Sequence, residues 1–143
     1  MDQNNKTEIN KNKIRFLYKA LKFRINIITI IYQAELFNEK IDSNEIFKNQ
    51  DLSASELKVI EEIALDYDRF IKVSKSLISA EWEWERISPL TRAIIIYGEY
   101  EMLHNDKLVV INEMVKITKN YVPNNDYKFV NKVLDMFAKK INK

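Results

Sequence analysis

Between Ser88 and Leu103 the chain reads SPLTRAIIIYGEYEML, and helical spacing puts apolar residues on nearly every side. Leu90, Ala93, Ile94, Ile95, Ile96, Tyr97, Tyr100 and Met102 leave no clear polar face. A helix apolar all round is either a membrane span or the axle of a globular core. This stretch carries Arg92, Glu99 and Glu101 and falls short of the about 20 apolar residues a span needs. It is predicted as a core helix, with the Ser88 hydroxyl capping a free amide and Pro89 at the first helical position. Gly98, the chain's only glycine, sits inside it, where glycine costs about 1 kcal/mol relative to alanine. Close approach of a neighbouring helix is the expected reason. One glycine also leaves little scope for loops that cradle phosphates.

The fold class that follows is all-α. The 143 residues are most simply one domain, and 46% hydrophobic content is ample for a core. There is no cysteine, which excludes disulfides and thiolate metal sites and fits a reducing cytoplasm. The start, MDQNNKTEINKNK, lacks the apolar region of a secretory signal. Residues 1–10 are expected as a flexible tail and 11–143 as the folded domain.

The net charge of +2 decides little, but its distribution is uneven. From Ile9 to Glu35 no acidic residue intervenes, while Lys11, Lys13, Arg15, Lys19, Lys22 and Arg24 are basic. At about 100° per residue, Ile14, Leu17, Tyr18, Leu21, Ile25, Ile28 and Tyr32 gather on one face of a long first helix. Lys11, Arg15, Lys19 and Lys22 flank that stripe on one side, and Lys13 and Arg24 on the other. Phe16 and Phe23 project from the opposite side. A solvated lysine-rich face is the plain reading; a surface that neutralises a nucleic-acid backbone is the functional one.

The helical pattern breaks at Asn38, and a short helix is expected around Asn44–Lys48. Ser53 and Glu56 have capping-box spacing. One long helix is then predicted, with Leu57, Ile60, Ala64, Tyr67, Ile71, Ser74 and Ile78 at helical intervals. Glu81–Arg86 reads as a short helix leading into the core helix. His104–Lys107 is a turn, Leu108–Tyr121 a helix ended by Val122-Pro123, and the Asn124–Asp126 segment a cap for the last helix. Phe129, Val130, Val133, Leu134, Phe137 and Ile141 form that helix's apolar stripe, with Lys139, Lys140 and Lys143 near its C-terminal end.

Catalytic patterns are nearly absent. The chain has one histidine, His104, in a polar turn, and no nucleophile elbow, phosphate loop or His-Glu-x-x-His helix. Glu81, Glu83 and Glu85 lack a visible means of separating their pKa values, so salt bridging is the better reading. Glu101 and His104 make one Glu-x-x-His match, where carboxylate metal sites use a pair. No enzyme activity, cofactor, metal or small-molecule substrate is expected.

The C-terminal half carries a resemblance. Trp82, Arg86-Ile87, Arg92-Ala93-Ile94 and Tyr100-Glu101-Met102 are spaced like the signature of the NusB family. Val110–Glu113, Lys119, Lys128-Phe129-Val130-Asn131 and Val133-Leu134 are similar to its C-terminal motif, and Arg24 with Tyr32–Leu36 to the end of its first helix. Adjacent arginines of that helix are replaced here by Ala20 and Leu21.

The resemblance implies two three-helix subdomains sharing a core, set perpendicular. It implies a cytoplasmic transcription antitermination factor that binds boxA RNA of ribosomal RNA leaders together with the ribosomal protein NusE, within an RNA polymerase antitermination complex and away from membranes. On that reading Lys22 and Arg24 contact RNA, as do Asn125, Asp126 and Lys128 at the start of the last helix. Tyr32 and Thr91, the latter in place of a family glutamate, face NusE. Lys13, Arg15 and Lys19 extend the RNA surface from charge pattern alone. Two alternatives stand beside it: an RNA-binding ribosome-assembly module without NusE, and a helical adaptor docking through Phe16, Phe23 and Ile27.

Overall fold

The computed structural model describes residues 2–78 and 82–142, in seven α-helices and one short 3-10 turn, with no strand among them. The elements are α1 (Asp2–Phe37), α2 (Ser43–Asn49), α3 (Ala54–Leu65), α4 (Tyr67–Leu77), the turn Trp84–Arg86, α5 (Pro89–Met102), α6 (Lys107–Tyr121) and α7 (Asp126–Ile141). Helix α5 is the axle: every residue from Thr91 to Met102 is buried, and α1, α4, α6 and α7 all pack on it. Helices α1, α2 and α3 form one group and α4 to α7 the other, joined through the α1–α5 contact.

The core is aliphatic and comes from each element in turn. Ile27 and Ile31 of α1, Ile60 and Ile63 of α3, Ile94 to Ile96 of α5, Met114 of α6 and Leu134 of α7 are essentially removed from water. At Gly98, side chains of both α6 and α7 press against α5. A methyl group added there would lie 2.9 Å from Leu134 Cδ1 and 3.1 Å from Met114 Cγ, so the close-approach expectation holds.

Local chemistry sets the boundaries. Asn38 takes a left-handed φ of 53°, and the Glu39 amide donates back to the Ala34 carbonyl at 2.9 Å, which closes α1. Asp42 caps α2 through the amides of Asn44 and Glu45. The Ser53–Glu56 capping box is complete: the Glu56 amide donates to Ser53 Oγ at 3.1 Å and the Ser53 amide to Glu56 Oε1 at 3.0 Å. Asp106 caps α6 by accepting from the Val109 amide.

Several expectations are corrected. The single helix over 57–78 is two helices, broken at Asp66 (φ −108°, ψ 15°), because α3 packs on α1 whereas α4 packs on α5 and α7. Pro89 opens α5, but the Ser88 side chain makes no capping bond. Only Trp84–Arg86 of the Trp/Glu segment is helical, as one 3-10 turn, and Glu81 lies outside the described residues. The residues expected as a tail are helical from Asp2 onward, in a stretch with neither glycine nor proline to stop it. Helix α1 is therefore 36 residues long, about 54 Å, against about 21 Å for the 14 residues of α5. Its first half extends past the bundle.

Candidate nucleic-acid interface

Helices α1 and α5 run antiparallel. Arg24 meets Glu101 near one end of the pair, and Glu35 meets Arg92 near the other. Burial in α1 begins around Phe23, where α5 starts to cover it, and is strongest from Ile27 to Ile31. Before that point the helix stands free: Phe16 is 71% exposed, and Ile14, Leu17 and Tyr18 are also open to solvent.

This free half carries the cations. Lys11, Lys13, Arg15, Lys19 and Lys22 are exposed, and none enters an ion pair among the described residues. Lys11, Arg15 and Lys19 are four residues apart, about 6 Å of rise per step, with Lys22 continuing the row. A row of unpaired, extended cations at this interval suits a phosphate backbone. Lys13 lies on the far side of the helix, about 160° from the centre of this row, and does not join it.

Arg24 does not belong to it. Its Nε donates to Glu101 Oε1 at 2.8 Å, a terminal nitrogen lies 3.9 Å from Glu113 Oε2, and only 16% of the side chain is exposed. It pins α1 to α5 and α6 instead of facing solvent. Arg92 performs the matching task at the other end. Its Nε donates to Glu35 Oε1 at 2.8 Å and its Nη1 to the Ile87 carbonyl at 2.6 Å, with longer bonds to Trp84 and Glu85. The Tyr67 hydroxyl donates to the second oxygen of Glu35, and burial pushes that phenol well above its ordinary pKa.

The second group of expected RNA residues lies at the far end. Asn125 and Lys128 are exposed at the start of α7, while Asp126 is half-buried and accepts from the Thr91 hydroxyl at 2.9 Å. Thr91 sits at the N-terminal end of α5, beside the Glu35 end of α1. Thirteen residues of α1, roughly 20 Å, separate Lys22 from Glu35. The structure thus keeps Asn125 and Lys128 apart from Lys13, Arg15, Lys19 and Lys22.

Thr91 itself is a correction. It is fully buried and bonded to Asp126, so it offers no surface to a partner. Its neighbour Leu90 does. Leu90 and Tyr32 line an apolar groove of about 290 Å³ with Ile25, Ile28, Thr29, Ile117 and Tyr121, between α1, the start of α5 and the end of α6. Tyr32 is half-buried there, and Tyr121 is exposed at 56%. Leu90 and Tyr121 were missed in the sequence because each also fits an ordinary helical stripe. Among the described residues no cluster of three His, Asp or Glu could hold a metal, and no helix is long and apolar enough to cross a membrane.

Comparison with known proteins places this arrangement. The model of the NusB family matches residues 21–139. The chain belongs to the NusB family. Among its relatives, the transcription antitermination protein NusB of Bartonella quintana is 32% identical over 113 residues, 77% of this chain and 71% of that one. The protein of the same name from Pseudothermotoga lettingae is 30% identical over 128 residues, 82% of this chain and 89% of that one. With Fervidobacterium nodosum NusB the match spans about half of each chain, at 39% identity over 70 residues. A solved structure of T. maritima NusB superposes with a TM-score of 0.72, covering 84% of this chain and 90% of that one at 22% identity, which bears out the NusB-like helical fold. The family match begins at Leu21, so most of the free basic half of α1 lies before it.

Proposed function

We propose that this chain is a transcription antitermination factor that binds single-stranded boxA-type RNA of ribosomal RNA leaders along the free half of α1. The observation that carries the reading is the row of cations without an ion pair, Lys11, Arg15, Lys19 and Lys22, on a helix half that nothing among the described residues covers. Such a row supplies affinity through counterion release and little base discrimination by itself. Specificity then needs a second component. The apolar groove around Tyr32 and Leu90 is our candidate docking site for the ribosomal protein NusE, since a concave apolar surface ringed by aromatic residues suits a protein anchor. The names of its relatives support the antitermination role. In the resulting complex, Asn125 and Lys128 at the start of α7 contact the RNA on the groove side, and Lys11, Arg15, Lys19 and Lys22 hold it on the other.

The test is a titration of the chain with boxA-type RNA over a salt series, with and without NusE. Four phosphate contacts predict a log–log slope near −3, from roughly −0.7 per contact to a single strand. Tighter binding with NusE present, lost on Tyr32→Asp, supports both sites. Binding indifferent to NusE refutes the groove assignment and leaves an RNA-binding assembly module. Absence of RNA binding refutes the proposal.

A further inference from the structure

The basic row ends at a hollow that the proposed contacts do not use. Phe23, one residue beyond Lys22, forms one wall of a cavity of about 290 Å³ between α1, α3 and the end of α5. His104, in the turn after α5, and Tyr100 also line it. The same three rings also line an adjoining cavity of about 390 Å³ that opens beside Lys58. The Tyr100 and His104 rings are in contact, with centroids 4.9 Å apart and planes tilted by 55°. His104 is exposed and Phe23 half-buried, so both present ring surface to the opening.

Charge and hydrogen bonding favour one kind of occupant. Lys58 of α3 is exposed and lines the second cavity, and Lys22 is exposed on α1 next to Phe23 in the chain. Against the cost of its burial, the Ser53 amide and the Asn26 side chain, with Lys22 nearby, hold the Glu56 carboxyl below its ordinary range. Two carboxylates face the cavities: Glu62 accepts from the Tyr100 hydroxyl, and Glu101 accepts from Arg24 through Oε1 while its Oε2 has no hydrogen-bond partner. Cations outside and flat rings inside, with the Asn105 amide at the edge, match a nucleotide: phosphate on the lysines, base among the rings. We infer that this hollow takes one unstacked base of the single-stranded RNA that lies along α1, seated against Phe23 and His104. The inference rests on the RNA-binding reading above and gives that surface a fixed register.

The experiment uses a single-stranded boxA-type RNA with 2-aminopurine placed at successive positions, and a parallel set with one abasic site each. At one position the fluorescence should be quenched on binding, and removal of the base there should weaken affinity about ten-fold. His104→Ala, at an exposed turn residue, should restore the fluorescence and abolish the penalty for the abasic site. Phe23→Leu, which keeps the apolar volume but removes the ring, should do the same. If RNA binds with the steep salt slope but no position responds, or the abasic penalty is unchanged in both variants, the pocket is refuted and the phosphate surface stands. If no RNA binds, both fail together.

Discussion

Arg92→Met tests how the two helix groups are held together. The Arg92 side chain is 11% exposed and that of Glu35 10%, so both charges are largely withdrawn from water. The guanidinium serves Glu35 and the backbone carbonyls of Trp84, Glu85 and Ile87, tying α1, α5 and the 3-10 turn in one place. Methionine fills most of the volume but donates nothing. Glu35 is then left charged with only the Tyr67 hydroxyl, and the Ile87 carbonyl loses its 2.6 Å partner. Breaking a buried pair from one side costs about 3–5 kcal/mol. Against a total of roughly 5–15 kcal/mol, that is about a fifth or more of the stability. A chain of this size shifts by about 2–4 °C in Tm per kcal/mol, so a fall of roughly 10 °C is expected. Urea unfolding followed by circular dichroism should show a lower midpoint with unchanged slope. Adding Glu35→Gln to Arg92→Met should recover part of the loss, because the stranded charge is gone. A loss under about 1 kcal/mol, or strict additivity of the two substitutions, would refute the reasoning.

Other consequences follow from single sites. Burial raises the Glu99 carboxyl to about 8, against the opposing bond from the Ser74 hydroxyl, and its second oxygen has no partner. The native state therefore keeps a proton that the unfolded chain releases near 4.5, so this group's contribution to stability declines between about pH 4.5 and 8 and is flat above. Glu99→Gln should remove that decline, and the difference between parent and variant melting curves across pH checks it; a constant difference would contradict the assignment. Gly98→Val should cost about 1–3 kcal/mol by overpacking against Leu134 and Met114, read from the urea midpoint. Ser53→Ala should cost about 0.5–2 kcal/mol through the lost cap of α3, with no effect on RNA binding in the same titration.

The sequence was most legible where one physical signal dominated. An all-round apolar helix with proline at its first position had to be the core, and α5 is that helix. The Ser53–Glu56 box and the helix stop at Asn38 are local chemistry, readable within a few residues. Long-range pairing was not legible. Arg24 looks in sequence like every other cation of the first helix, and only the fold brings up Glu101, 77 residues away, to engage it. Thr91 sits on a helix without a polar face, so residue type could not reveal its burial. The break at Asp66 was hidden because both halves keep helical spacing, and the change of packing partner from α1 to α5 and α7 leaves no mark in the period. His104 read as a solvated turn residue until the fold set its ring beside Tyr100 and in the same cavity lining as Phe23.

The central claim is that the free half of α1 binds an RNA backbone through side chains that have no other role. The most direct measurement is the salt dependence of RNA affinity for the parent chain and for a variant with Lys11, Arg15, Lys19 and Lys22 all changed to alanine. These residues are exposed and outside the core, so the variant should unfold at nearly the parent's urea midpoint. The account predicts a parent slope near −3 that falls towards zero in the variant, with affinity lost accordingly. An unchanged slope and affinity in a folded variant would contradict it.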